Sequence, residues 1–217
     1  MCSPTKDVLH QDDLDCVVQR YTDRIRQHGL SLESLNSGGI EKQHLRYGIH
    51  FSAIQGPCPR VLDIGCGLGG MYAYLKERHV NCTFVGYDVV PAYVEACRTS
   101  YPEARFECRN IFEEGIDGTF DTVVMSQVLN NLYRRSNNVD VMQTAIRMAY
   151  ERTKMAVSVD MMSSYAEQQR EGLHYYEPEQ VFRFARTLAK RVVLRHDYRS
   201  AEFAIQLFHP EASGYIP

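Results

Sequence analysis

The chain has 217 residues and a mass of 25.0 kDa, enough for one domain with a sizeable core. Hydrophobic residues make up 44% and charged residues 24%, ordinary globular usage that excludes a disordered or fibrous chain. A net charge of −3 and a pI near 6.2 leave no electrostatic footprint for nucleic acid or an anionic membrane, and no apolar run approaches the roughly 20 residues of a bilayer span.

The opening segment, MCSPTKDVLHQDDLD, carries acidic residues where an export signal needs an apolar stretch, so a cytoplasmic location is expected. The seven cysteines (Cys2, Cys16, Cys58, Cys66, Cys82, Cys97 and Cys108) form no C-x-x-C pair and read as reduced thiols. The histidines show no paired metal-binding spacing, so no metal site is expected.

Two helices come first. Leu14, Val17, Val18, Tyr21 and Ile25 make a stripe over Asp12 to His28, which Gly29 can end. A second helical pattern runs from Ile40 to Gln55, closed by Gly56-Pro57-Cys58-Pro59. Strand and helix patterns then alternate. Strands are expected at Arg60 to Ile64, Thr83 to Tyr87, Ala104 to Cys108, Phe120 to Met125 and Lys154 to Val159. Helices between them start near Met71, Pro91 and Val139. Such alternation predicts parallel strands joined by crossover helices. A last helix, from Glu177 to about Lys190, precedes two strand-like runs, Arg191 to His196 and Ala201 to Phe208. The join between them is too short for a parallel crossover and predicts an antiparallel hairpin. The fold class is therefore α/β, a doubly wound seven-stranded sheet of five parallel strands plus a C-terminal antiparallel hairpin, with an N-terminal helical cap.

The segment Val61-Leu62-Asp63-Ile64-Gly65-Cys66-Gly67-Leu68-Gly69-Gly70 formally matches G-x-G-x-x-G, and Asp88 ends the next strand. Glycines allow a tight turn and close backbone approach, and a carboxylate after the second strand can accept from a ribose diol. On its own the pattern also admits a nicotinamide-binding oxidoreductase. Asp63 argues against that, since a carboxylate beside the turn repels a pyrophosphate and suits a cationic ligand part. With the terminal hairpin, it points to S-adenosylmethionine.

VLDIGCGLGG followed by FVGYDVV, RFECRNIFE and FDTVVMSQVLNNL resembles the class I S-adenosylmethionine-dependent methyltransferases, which have a Rossmann-like fold. The likeness covers about Pro59 to His209 and divides the single domain into residues 1–58, a helical cap, and residues 59–217, the cofactor-binding core. The resemblance implies Asp63, Gly65, Cys66 and Gly67 against the methionine part, Asp88 on the ribose hydroxyls and Val89 against adenine. Asn110 stands where the family commonly has Asp to accept from the adenine amino group, with Ile111 offering a backbone N–H. Ser126, Gln127 and Leu129 complete the implied pocket, and Arg46 matches the methionine carboxylate bidentately.

The implied reaction is methyl transfer to a small-molecule N, O or S nucleophile by in-line displacement, giving S-adenosylhomocysteine. Alternatives on the same cofactor are cyclisation, aminocarboxypropyl transfer and a non-catalytic binding role. Alignment can supply about 7–11 kcal/mol, so a base is needed only for a protonated acceptor. The family carries no fixed catalytic residue. Candidates are Asn130, Asn131 and Tyr133 after the fourth strand; Asp160, Tyr165, His174, Tyr175 and Tyr176 after the fifth; and Tyr21, Arg46, Tyr47 and His50 from the cap. His174 is the leading candidate for a base, with Tyr175, Asn130 and Tyr165 beside it. The absence of [DNS]-P-P-[FY] and Pro-Cys signatures disfavours nucleobase acceptors, and the mild acidity of the chain suits small or cationic ones. No nucleic-acid or membrane partner is expected, and oligomeric state is left open.

Overall fold

The computed structural model describes residues 8–212, so Cys2 lies outside the described residues. Three helices open the chain: α1 (Gln11–His28), α2 (Leu32–Leu35) and α3 (Ile40–Phe51). The core follows as β1 (Arg60–Ile64), α4 (Gly70–Glu77), β2 (Thr83–Asp88), α5 (Pro91–Ser100), β3 (Arg105–Cys108), α6 (Ile111–Glu114), β4 (Phe120–Ser126), α7 (Asn138–Glu151) and β5 (Thr153–Met162). The end is α8 (Pro178–Leu188), β6 (Arg191–Arg199) and β7 (Glu202–Phe208).

One seven-stranded sheet runs in the order β3-β2-β1-β4-β5-β7-β6. Pairs among β1 to β5 are parallel, while β7 pairs antiparallel with both β5 and β6. Strand order reverses between β1 and β4, and at such a switch point the loops leaving the carboxyl ends diverge and open a crevice. Alternation along β1 covers both faces. Leu62 and Ile64 pack with apolar residues of α6, α7 and α8, whereas Val61 packs with Met71, Leu75, Val94 and Cys97 of α4 and α5 and with Tyr47 of α3.

Several bounds differ from the sequence expectation for physical reasons. β5 extends to Met162 because β4 pairs with it as far as Asp160 and β7 pairs along Ala156 to Met162. Asp160 therefore lies inside the strand and not after it. β6 continues to Arg199 through a register shift between Arg195 and Arg199, so the hairpin turn shrinks to Ser200 and Ala201. Two single-turn helices, α2 and α6, lacked enough residues to show a period.

α1 is fastened to the loops after β4 and β5 by Asp12, Asp13 and Arg20, with Asp13 the buried anchor. Asp13, 4% exposed, accepts from the backbone N–H groups of Arg134 (2.8 Å), Arg135 (3.0 Å) and Ser136 (2.7 Å) and from the Ser136 hydroxyl (2.8 Å). Burial alone would raise its pKa, but these donors together hold the carboxyl below the usual carboxylate range.

Candidate functional site

The glycine turn follows directly from β1. Gly65 and Gly67 adopt φ of +78° and +53°, where a side chain is strained, and a Cβ on Gly65 would lie 2.6 Å from Val128 in the loop after β4. The N–H groups of Gly65 and Cys66 both donate to the Tyr87 carbonyl, at 2.7 and 3.0 Å, which ties the turn to β2. Gly67 N–H donates to Asp88 Oδ2 at 2.8 Å and Val90 N–H to Asp88 Oδ1 at 2.9 Å. The Asp88 carboxylate is thus oriented by main chain. Val89 N–H interacts with it as well, and the about four lone-pair sites of a carboxylate leave acceptor capacity beyond these three donors. Burial raises its pKa, against the lowering effect of these backbone donors.

Asp63, at the end of β1, is 3% exposed, and its Oδ1 has no hydrogen-bond partner. Burial first, and then the neighbouring Asp88 and Asp160 charges, push its pKa up to about 8. The Cys66 thiol is buried and also raised well above its ordinary value, by its hydrogen bond with Cys97 and by burial, so it is no thiolate nucleophile.

A cavity opens at the switch point. Its walls include Gly65, Cys66 and Gly67 from the turn, Asp88 and Val89 after β2, Asn110 and Ile111 after β3, and Ser126, Gln127 and Leu129 after β4. Leu14, Val17 and Tyr21 of α1 and Arg46 and Tyr47 of α3 close it from the N-terminal side. Eleven of the twelve cofactor-binding candidates line this one cavity; Asp63 lies buried without reaching its wall. Asn110 caps α6, its side-chain oxygen accepting from Phe112 N–H at 3.1 Å, which leaves that oxygen one further acceptor site.

After β4, Gln127 takes a left-handed φ of 60°, uncommon for a residue with a side chain. Asp160 holds it there, Oδ1 accepting from Gln127 N–H at 2.6 Å and Oδ2 from the Ser126 hydroxyl at 3.3 Å. Burial would raise the Asp160 pKa, but His50, Arg46 and the Gln127 N–H outweigh it and hold the carboxyl below its ordinary value. His50 is wholly buried behind the cavity, with Nδ1 2.8 Å from the Ser158 hydroxyl and Nε2 3.5 Å from Asp160.

Arg46 requires a correction. Its Nη2 donates to the Ser37 carbonyl at 2.7 Å, its Nη1 lies 3.3 Å from Glu202 and its Nε 3.7 Å from Asp160. Two protein carboxylates already engage the guanidinium, so Arg46 is a strut between α3 and the sheet and not a free clamp for a ligand carboxylate.

The catalytic candidates divide. Asn130 and Tyr175 line a second, more polar cavity that shares Tyr21, Leu35, Ser37, Arg46, Gln127 and Asn131 with the first. Both ends of the Asn130 amide are used, its nitrogen donating to Gln127 Oε1 and its oxygen accepting from Met162 N–H, so it fixes loops together. His174 lines neither cavity; its ring packs edge-on against Tyr176 at 4.4 Å, and burial lowers its pKa. Tyr165 is 59% exposed and donates to Glu179 at 2.7 Å, away from both cavities. The motif FDTVVMSQVLNNL pointed to Gln127 but gave no sign of the carboxylate, 33 residues on, that shapes it.

Comparison with known proteins decides the family. Residues 62–155 match the model of a methyltransferase domain. Over 151 residues the chain is 30% identical to a putative methyltransferase, Rv1506c, of Mycobacterium tuberculosis, covering 66% of this chain and 89% of the relative. The chain belongs to the S-adenosylmethionine-dependent methyltransferases. Magnesium protoporphyrin IX methyltransferase of Synechocystis, solved with S-adenosylhomocysteine, shares the fold at a TM-score of 0.63 and 11% identity, over 91% of this chain and 99% of that one. The N-methyltransferase NodS of Bradyrhizobium japonicum does so at 0.57 and 16% identity, over 79% and 96%. This methyltransferase is therefore an enzyme whose methyl donor is S-adenosylmethionine. No helix among the described residues is long and apolar enough to cross a membrane.

The cavity fits that donor on its own evidence. The glycine turn lets Val128 and Leu35 pack against its backbone while Gly65 and Gly67 still line the cavity, and Asp88 lines it with a carboxylate. One buried polar atom on its wall, Gln127 Nε2, has no partner and adds an unmet donor, while the unpartnered Asp63 Oδ1 lies behind the wall.

Proposed function

We propose that this methyltransferase transfers the methyl group to a small-molecule N, O or S nucleophile by in-line displacement. The carrying observation is the continuity of the glycine-turn cavity with a second pocket through a shared wall. The bound cofactor supplies an electrophilic methyl carbon, whose bond to sulfur breaks, the electron pair staying on sulfur, as the acceptor's lone pair makes the new bond.

In this reading Asp88 accepts from the ribose hydroxyls, Val89 packs against adenine, and Asn110 and Ile111 meet the adenine edge. Gly65, Cys66 and Gly67 present backbone to the methionine part, with Ser126, Gln127 and Leu129 opposite. Asp63, held largely protonated at neutral pH without the cofactor, can ionise beneath the turn when a neighbouring cationic part favours its charged form. Residues 1–58 act as the cap and 59–217 as the cofactor-binding core, because α1 and α3 place apolar and aromatic side chains over the cavity and exclude water from it.

The shared wall carries no histidine or carboxylate, and burial raises the Tyr21 pKa, so its phenol remains neutral. The chain therefore aligns the acceptor instead of deprotonating it, and the favoured acceptor offers a free lone pair at working pH. Calorimetry with S-adenosylhomocysteine tests the assignment. Binding that Asp88→Ala weakens at least about tenfold is expected; equal binding by the variant overturns it.

A further inference from the structure

We infer that the second pocket is an acceptor site for a small organic anion, bearing a carboxylate or a phosphate. This deepens the proposed function and rests on the glycine-turn cavity being the cofactor site.

The pocket is lined by four cationic side chains, Lys42, Arg46, Arg170 and Arg199, against one carboxylate, Glu202. Arg46 and Arg199 are already matched. Glu202 lies 3.3 Å from the first and 3.1 Å from the second, and Asp160 stands 3.7 Å from Arg46 on its buried side. Two cations against two carboxylates make that part nearly neutral. Lys42 and Arg170 are different. Both are exposed at the pocket, and neither side chain has a hydrogen bond or an ion pair among the described residues.

The uncharged groups have the same polarity. Gln127 Nε2, on the wall shared with the cofactor cavity, is a buried donor with no acceptor. The Tyr175 oxygen accepts from Arg170 N–H at 2.7 Å, leaving its own hydrogen to donate. Unmet donors and unbalanced positive charge in one pocket call for an anionic occupant, which gains charge-assisted hydrogen bonds and is steered inward. The chain's net acidity, which had suggested cationic acceptors, does not describe this pocket; its carboxylates sit elsewhere or are spent on Arg46 and Arg199.

The test uses the full chain saturated with S-adenosylhomocysteine, whose binding is measured first. Benzoate, phenyl phosphate, benzyl alcohol and benzylamine are then titrated by calorimetry at low and high salt. At least one anion should bind about tenfold more tightly than the alcohol and the amine, and more weakly as salt rises. Comparison of benzoate with phenyl phosphate separates the two anion types. A Lys42→Ala/Arg170→Ala double variant should lose about tenfold in anion affinity while keeping its affinity for S-adenosylhomocysteine. Equal or stronger binding of the alcohol or the amine overturns the inference, as does failure of both anions to bind or an unaltered double variant. Failure to bind S-adenosylhomocysteine instead overturns the cofactor-site reading beneath it.

Discussion

At the glycine-turn end of the cavity the polar contacts are made largely by main chain: Gly67 and Val90 N–H groups grip Asp88, and Gly65 and Cys66 share one carbonyl. At the polar end side chains carry more of them, Arg46 reaching Glu202 and Asp160 from far along the chain and Asn130 donating to Gln127 close by. Backbone contacts depend on conformation, and many side chains are compatible with one turn. Side-chain contacts depend on particular residues, so acceptor preference can change while the cofactor end is kept.

Four substitutions probe the contrast. The largest effect is expected at Asp88. Asp88→Ala removes a carboxylate that orients two N–H groups and leaves them unpaired. At about 1.5–3 kcal/mol per charge-assisted bond, affinity for S-adenosylhomocysteine should fall at least about tenfold by calorimetry. A smaller loss would show that the backbone frame does not depend on this side chain.

Gly65→Ala comes next. The left-handed φ costs an alanine about 1–2 kcal/mol, and the added Cβ must also displace Val128. A lower thermal midpoint with weaker cofactor binding is expected, and an unchanged midpoint would mean that the turn relaxes freely.

Asp13→Ala tests the cap's attachment and should destabilise the chain by about 2 kcal/mol in urea titrations at neutral pH. Because folding lowers the Asp13 pKa, its stabilisation is present above the ordinary carboxylate value and lost as pH falls through the lower folded one. The variant's deficit should therefore shrink in acid. A deficit that persists there would assign the effect to packing.

The smallest effect is expected from Asp63→Asn in the cofactor-free protein. With the folded pKa raised to about 8, Asp63 favours folding below its unfolded value, and that contribution is lost as pH rises toward about 8. The asparagine variant should show a flatter fall of thermal midpoint across this range; an identical slope would put the alkaline sensitivity elsewhere.

Much of the frame was legible in the sequence because its signals are local. Arg60–Ile64 reads as a buried apolar run, the glycines need their turn wherever the chain goes, and Pro91 begins α5 with its fixed φ. The hairpin was legible because a few residues cannot cross a sheet. His174 and Tyr165 misled because residue type and a place after β5 do not reveal orientation; one ring turned onto Tyr176 and the other hydroxyl onto Glu179.

By itself the sequence determined the sheet, its parallel sense, the glycine turn and the cofactor, since each rests on short-range pattern and strand alternation. Only the tertiary structure decided the polar pocket. Pairing of Asp160 with Ala204 and of Met162 with Glu202 brings the β5 and β7 carboxylates beside α3. Arg46 and Glu202 are 156 residues apart, a contact that follows from sheet register and the docking of α3 and leaves no trace in local spacing.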